Sequence, residues 1–127
     1  MGAEQLSLFE DVNEKEVEKR IIEYLRDYRA LKVQIENKQE QIEAGVSNLF
    51  QPIRQPDPKN ELKVKQIERA LENSLDFLER KIIEMKYLTS QEINDIDIYL
   101  ELGIKKGKFY VKKRAAIFNL ATALGMI

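Results

Sequence analysis

The apolar residues of the N-terminal third recur with the spacing of a helix. From Val17 to Ile42 they follow steps of 4, 3, 4, 3, 4, 3 and 4, with one polar interruption at Lys38. A seam sustained over three to four heptads predicts a coiled-coil-like helix over about residues 14–43. The seam could pair with another copy of the chain or with a helix of its own chain. Its apolar members after Val17 are Ile21, Tyr24, Tyr28, Leu31, Ile35 and Ile42.

Capping and breaking residues divide the chain into segments. Asn13 can cap the long helix and Gly45 can end it. Three prolines at positions 52, 56 and 58 exclude a regular helix in the next stretch. There we expect Leu49, Phe50 and Ile53 to dock on a neighbouring segment. The predicted segments are a flexible N-terminal arm (1–13), a long amphipathic helix (14–44), a Pro-rich linker (45–59) and a helical domain (60–127).

Shorter apolar periods follow the linker. They predict one helix within 62–75, a break over 74–76 and a second helix within 77–88. A third, short helix within 96–102 then precedes Gly103. Candidate caps are Asp76 for the second helix, and Asn94, Asp95 or the capping-box spacing of Thr89 to Glu92 for the third.

Charge is distributed unevenly along the chain. Residues 104–127 hold six basic residues and no acid, whereas the 15 basic and 22 acidic residues elsewhere give −7. A short helix, a glycine turn and a basic helix form the pattern of a helix-turn-helix, whose second helix enters the DNA major groove. Double-stranded DNA is therefore the predicted partner. The residues expected to contact it are Lys105, Lys106, Gly107, Lys108, Tyr110, Val111, Lys113 and Arg114.

Two positions depart from the common pattern of this motif. Tyr99 stands where a small residue usually lets the two helices approach, and Lys112 stands at an apolar site of the second helix. Either the angle between the two helices is wider than usual, or a shift lets Val111 make the apolar contact that the pattern expects at position 112. Lys113 is expected to point outward with the other DNA-facing lysines. The expected core of the unit is Ile98, Leu102, Ile104, Phe109, Ala116, Ile117 and Leu120.

Composition argues against several function classes. The chain has no Cys and no His, so it lacks a thiolate zinc site, a catalytic triad and the usual general base. We expect no enzyme activity, no catalytic residue, no metal and no cofactor. No apolar run approaches the roughly 18 residues that span a bilayer, so no membrane contact is expected. The expected fold is all-α, and the expected location is the cytoplasm.

Several stretches resemble the ArpU family of phage transcriptional regulators. They are DYRALK at 27–32, LERKIIEMKYL at 78–88, DIDIYLELGI at 95–104, and Phe109-Tyr110 with NLATAL at 119–124. The resemblance covers most of 6–124 and is weakest at 37–60. It implies a C-terminal half similar to region 4 of sigma factors. It also implies activation of late packaging and lysis genes at their promoters, with host RNA polymerase, inside the bacterial cell.

The opening of the second helix departs from that family. Family members usually place Ser or Thr there, whereas this chain has Lys105, Lys106, Gly107 and Lys108. A glycine in the first turn weakens a helix by roughly 1 kcal/mol. It also allows the backbone to approach DNA closely.

The N-terminal arm carries a separate motif. Gln5, Leu6, Ser7, Leu8 and Phe9 resemble the short peptide with which bacterial proteins bind the replicative sliding clamp. The glutamine amide can hydrogen-bond at a pocket rim while the apolar side chains fill a groove. The host sliding clamp is thus a second expected partner. The alternative is that Leu8 and Phe9 fold back on the helices of their own chain.

A different class of function also fits the pattern. The chain could be a structural or assembly adaptor that dimerises through the helix at 14–43 and binds nucleic acid without sequence preference. Sequence-selective binding of DNA would separate this alternative from the regulator.

Overall fold

The computed structural model describes residues 12–127, which form an all-α fold with no strand in that range. The predicted all-α class is therefore confirmed. None of the helices in this range is long and apolar enough to cross a membrane. The helices are α1 (Glu14–Glu43), α2 (Asn60–Asn73), α3 (Phe77–Tyr87), α4 (Asp95–Glu101) and α5 (Lys106–Ala123).

Short polar side chains start three of these helices. The Asn13 Oδ1 atom accepts hydrogen bonds from the amides of Lys15 and Glu16 at the start of α1. Asp76 and Glu79 form a reciprocal capping box at α3, with distances of 2.7 and 2.8 Å. Asn94 caps α4. The expected caps Asn13, Asp76 and Asn94 are confirmed, because each satisfies amides that the helix itself leaves unpaired.

The capping box suggested for Thr89 does not form. The Thr89 hydroxyl instead contacts the carbonyl oxygens of Met85 and Gln91, at 3.3 and 2.9 Å. Glu92 therefore lies outside a helix, and Asp95 occupies the first turn of α4 rather than its cap.

The inner face of α1 packs within its own chain. Ile21 and Tyr28 are buried as part of the main core, and Leu31 and Ile35 are partly buried against it. Leu25 is only 2% exposed, whereas Tyr24 is 40% exposed. Both positions fit a heptad seam, and the neighbouring helices lie on the side of Leu25. The main core consists of Val17, Ile21, Leu25 and Tyr28 of α1 with residues of α2, α3 and α5.

A second, smaller core joins α3, α4 and α5. Its centre is Ile82, Ile98 and Phe109, one residue from each helix, and all three are 0% exposed. Burying a side chain of this size stabilises the fold by roughly 1.5–3 kcal/mol. This cluster fixes α4 against the first half of α5. Partly buried residues around it are Leu78, Met85, Ile93, Tyr99, Leu102 and Ile104.

The linker does not pack as the sequence suggested. Leu49, Phe50 and Ile53 are exposed, so the expectation that they dock on a neighbouring segment is wrong for the described chain. Asn60 at the start of α2 lies level with Gln34, since their side-chain amides approach to 3.4 Å. Beyond Gln34, α1 continues for roughly 13 Å with no α2 beside it. Apart from Ile35 and Gln41, which are partly buried, the α1 residues after Gln34 are exposed.

Candidate nucleic-acid interface

A glycine turn connects α4 to α5. Gly103 has φ of +66°, a left-handed conformation that favours glycine. The Gly103 amide donates to the Leu100 carbonyl at 3.1 Å, and the Ile104 amide donates to the Tyr99 carbonyl at 3.0 Å. These bonds close the end of α4 and redirect the chain, so that α5 begins three residues after the glycine.

Phe109 anchors the start of α5 against α4. Its ring centroid lies 5.7 Å from that of Tyr99 and 5.1 Å from that of Tyr110. Tyr99 therefore packs on the aromatic core at the position where a small residue was expected. Val111 is 68% exposed. The alternative in which Val111 makes the apolar contact in place of Lys112 is therefore wrong.

The first turn of α5 presents an open, basic helix end. Lys105, Lys106, Gly107 and Lys108 are all exposed, and the first turn contains no acid. Lys105 occupies the cap position without a side-chain hydrogen bond to the amides that follow. The amides at a helix N-terminus and its positive dipole favour an anion. Within residues 12–127, these three lysines form no ion pair.

The other three basic residues of α5 are paired inside the chain. Lys112 contacts the cap Asp76 of α3 at 2.6 Å, and Arg114 pairs with Glu14 in the first turn of α1. Lys113 lies 3.8 Å from Asp95. These contacts fix α5 to three other helices. Among residues 12–127, the basic side chains of this helix that lack an ion pair therefore lie at its N-terminal end.

Lys113 differs from its predicted orientation. Its side chain is only 15% exposed, so the expectation that it points outward is wrong. The ammonium lies 6.0 Å from the ring centroids of both Phe109 and Tyr110. The aromatic faces and the Asp95 carboxylate together hold it along α5. Sequence spacing could not show this, because Asp95 is 18 residues away in the chain.

Asp95 brings three side chains of the interface together. Its carboxylate lies 3.0 Å from the ammonium of Lys86, accepts a hydrogen bond of 3.2 Å from the Tyr110 hydroxyl, and faces Lys113. Burial opposes the charged form of this carboxyl, but the contacts with Lys86 and Lys113 outweigh it and lower the pKa of Asp95. The sequence suggested only a helix-dipole role for Asp95. The structure makes it an internal anion that competes with any phosphate for Lys113.

The remaining predicted DNA-contacting residues are all exposed. Tyr110 and Val111 are exposed beside the lysines of the first turn, whereas Arg114 is exposed but paired. The motif Gln5, Leu6, Ser7, Leu8 and Phe9 lies outside the described residues. Within 12–127, acidic side chains form no cluster that could hold a metal ion.

Comparisons with known proteins add no relative. No family model matches the chain, no curated protein matches it, and no solved structure matches it. The resemblance to the ArpU family therefore rests on the stretches of sequence quoted above.

Proposed function

We propose that this protein is a DNA-binding transcriptional regulator that uses α4 and α5 as a helix-turn-helix similar to region 4 of sigma factors. The observation that carries the proposal is the open first turn of α5. Lys105, Lys106 and Lys108 lie there, directly after the Gly103 turn, and form no ion pair with any residue of 12–127. Such a helix end suits insertion into the major groove of double-stranded DNA.

The exposed side chains divide the task of recognition. The lysines and the first amides of α5 would bind phosphates, which sets position and affinity. Tyr110 and Val111 are exposed one turn further along the helix. The Tyr110 hydroxyl already donates to Asp95 but can still accept a hydrogen bond from a base edge, and the Val111 side chain can contact a thymine methyl group. Lys113 could join them only by leaving Asp95.

The biological role follows from the resemblance to the ArpU family. In this proposal the protein activates late packaging and lysis genes of a bacteriophage inside the bacterial cell. No stretch resembles the sigma region that binds and melts promoter DNA, so it would act with host RNA polymerase at late promoters.

The decisive experiment selects DNA from a random-sequence duplex library with the purified chain. The regulator should enrich a defined motif over successive rounds, and a genome fragment that carries the motif should respond in transcription with host polymerase. The alternative, a structural adaptor, would retain DNA without enriching any sequence. Selection that yields no motif would therefore exclude the regulator.

The proposed role of the N-terminal arm needs a separate test. We propose that Gln5, Leu6, Ser7, Leu8 and Phe9 bind the host sliding clamp and tether the regulator to replicating DNA. Calorimetry with purified clamp should show binding by the wild type, and loss of binding by the Leu8→Ala/Phe9→Ala variant. Equal binding by both proteins, or none by the wild type, would end this part of the proposal.

A further inference from the structure

An uncharged stretch of the linker stands out from the rest of the chain. Residues 44–53 contain no charge, although 34% of all residues are charged. The uncharged stretch at the C-terminus, 115–127, supplies buried residues to the main core. The linker stretch does not, since Leu49 is 60% exposed, Phe50 is 78% exposed and Ile53 is fully exposed. Three large apolar side chains exposed within five residues of chain indicate a contact surface.

Backbone turns set the direction in which this stretch leaves α1. Gly45 and Asn48 turn the chain with φ of +70° and +57°. The Val46 amide donates to the Gln41 carbonyl at 2.9 Å, which ties the stretch to the end of α1. Pro52 restricts the backbone further. A surface ordered before binding loses less conformational entropy when a partner arrives.

We propose that this surface binds the same surface on a second copy of the chain. We call it the tip surface. It lies where α1 ends and the linker begins, at the far end of α1 from the Arg114–Glu14 pair. Its residues are Ile42, Val46, Leu49, Phe50 and Ile53, all exposed in the single chain.

Leu6, Leu8 and Phe9 of the N-terminal arm lie too few residues before Asn13 to reach the end of α1 in their own chain. Leu6 is seven residues before Asn13, so it reaches at most about 25 Å from the start of α1. The 30 residues of α1 extend for roughly 45 Å. Leu49 and Phe50 come after that distant end. The described residues 12–127 leave this surface exposed as well, so the proposed occupant is another molecule.

The absence of charge favours a second copy. In a two-fold symmetric dimer a residue near the axis meets its own counterpart, so a charge there would face a like charge. Residues 44–53 avoid that repulsion completely. A different partner would offer no such reason to exclude charge, because opposite charges commonly guide association between unlike proteins.

The proposed dimer contact uses the end of α1 that its own described chain leaves exposed. Ile21 and Tyr28 of the heptad seam are buried against helices of their own chain, so they cannot pair with another copy. Ile42, at the other end of the seam, is 62% exposed. A stable interface usually takes about 20–30 residues from each partner. The tip surface is smaller, so we expect a dimer with a dissociation constant in the micromolar range.

Sedimentation equilibrium of the full chain without DNA tests the proposal. The wild type should dimerise over micromolar concentrations. The Phe50→Ser/Ile53→Ser variant should dimerise at least about 30-fold more weakly, because it removes two central apolar contacts. Far-UV circular dichroism should show unchanged helix content, since both side chains are exposed in the single chain.

A matched control uses the same residue types at another exposed place. Phe77 and Ile96 are 67% and 55% exposed on α3 and α4. The Phe77→Ser/Ile96→Ser variant should dimerise like the wild type. A wild type that stays monomeric throughout would overturn the proposal. So would equal dimerisation by the wild type and the Phe50→Ser/Ile53→Ser variant, or equal weakening by the two variants.

Discussion

Asp76 connects two parts of the molecule through one carboxylate. One oxygen accepts the Glu79 amide inside the capping box of α3, and the other contacts Lys112 of α5. The Glu79 amide and then the Lys112 ammonium lower the pKa of Asp76 below its ordinary value of 3.8. The Glu79 carboxylate extends the connection, since it accepts a hydrogen bond from the Asn119 side chain. The ion pair with Asp76 therefore explains why a lysine stands at position 112, where the helix-turn-helix pattern has an apolar residue.

Replacing Asp76 by Ala should lower the free energy of unfolding at neutral pH by about 1 kcal/mol, the usual effect of losing a cap. Folding lowers this pKa, so the contribution is present above pH 3.8 and is lost as pH falls through the folded-state pKa. Urea unfolding at neutral and acidic pH should therefore show the difference between wild type and variant shrinking in acid. The exposed Glu92→Ala variant is the control. A difference that stays constant or grows in acid would contradict this assignment.

Gly107 gives a prediction in which stability and binding change in opposite directions. A Cβ atom at this helical position would meet no other atom within 4 Å. The Gly107→Ala variant should therefore be more stable by about 0.5–1 kcal/mol. If the first turn of α5 approaches the DNA backbone closely, the added methyl group should weaken DNA binding. Thermal unfolding and fluorescence anisotropy measure the two effects, and binding that is unchanged or tighter would exclude the close approach.

At the scale of helices, local signals were enough to predict where most elements begin and end. Asn13, Asp76 and Asn94 act within three residues of themselves, and Gly103 sets a turn by its own φ. The orientation of side chains depended on distant partners. Arg114 meets Glu14 across 100 residues of chain. No spacing rule connects two such positions, so the sequence could propose the basic helix but not which of its charges remain free.

On α1 as well, sequence spacing alone could not show which of Tyr24 and Leu25 is buried. Leu25→Ala should lower the free energy of unfolding by about 2–5 kcal/mol, because it leaves a cavity in the main core. Tyr24→Ala should change it by no more than about 0.5 kcal/mol, since that side chain is partly in solvent. The two variants change neighbouring residues, so in urea unfolding each serves as the control for the other. Equal losses, or a larger loss at Tyr24, would mean that α1 packs with a different face.

At the scale of the whole molecule, the six basic residues at the start of α5 and along it fall into two groups. Lys112, Lys113 and Arg114 connect α5 to α3, α4 and α1, and they contribute to a single packed body. Lys105, Lys106 and Lys108 are exposed and form no ion pair with the part of the chain that the structure describes. The central claim is that these three lysines bind DNA phosphates.

The salt dependence of DNA binding tests that claim most directly. Three neutralised phosphates predict a slope of log affinity against log salt of about −2.7 for the wild type. The Lys105→Ala/Lys106→Ala/Lys108→Ala variant should lose most of its affinity and show a slope near zero. The control Lys19→Ala/Lys38→Ala/Lys65→Ala removes the same charge from exposed positions on α1 and α2. It should keep the wild-type slope. If both variants lose affinity equally, or if the first binds DNA like the wild type, then the first turn of α5 is not the DNA-binding surface.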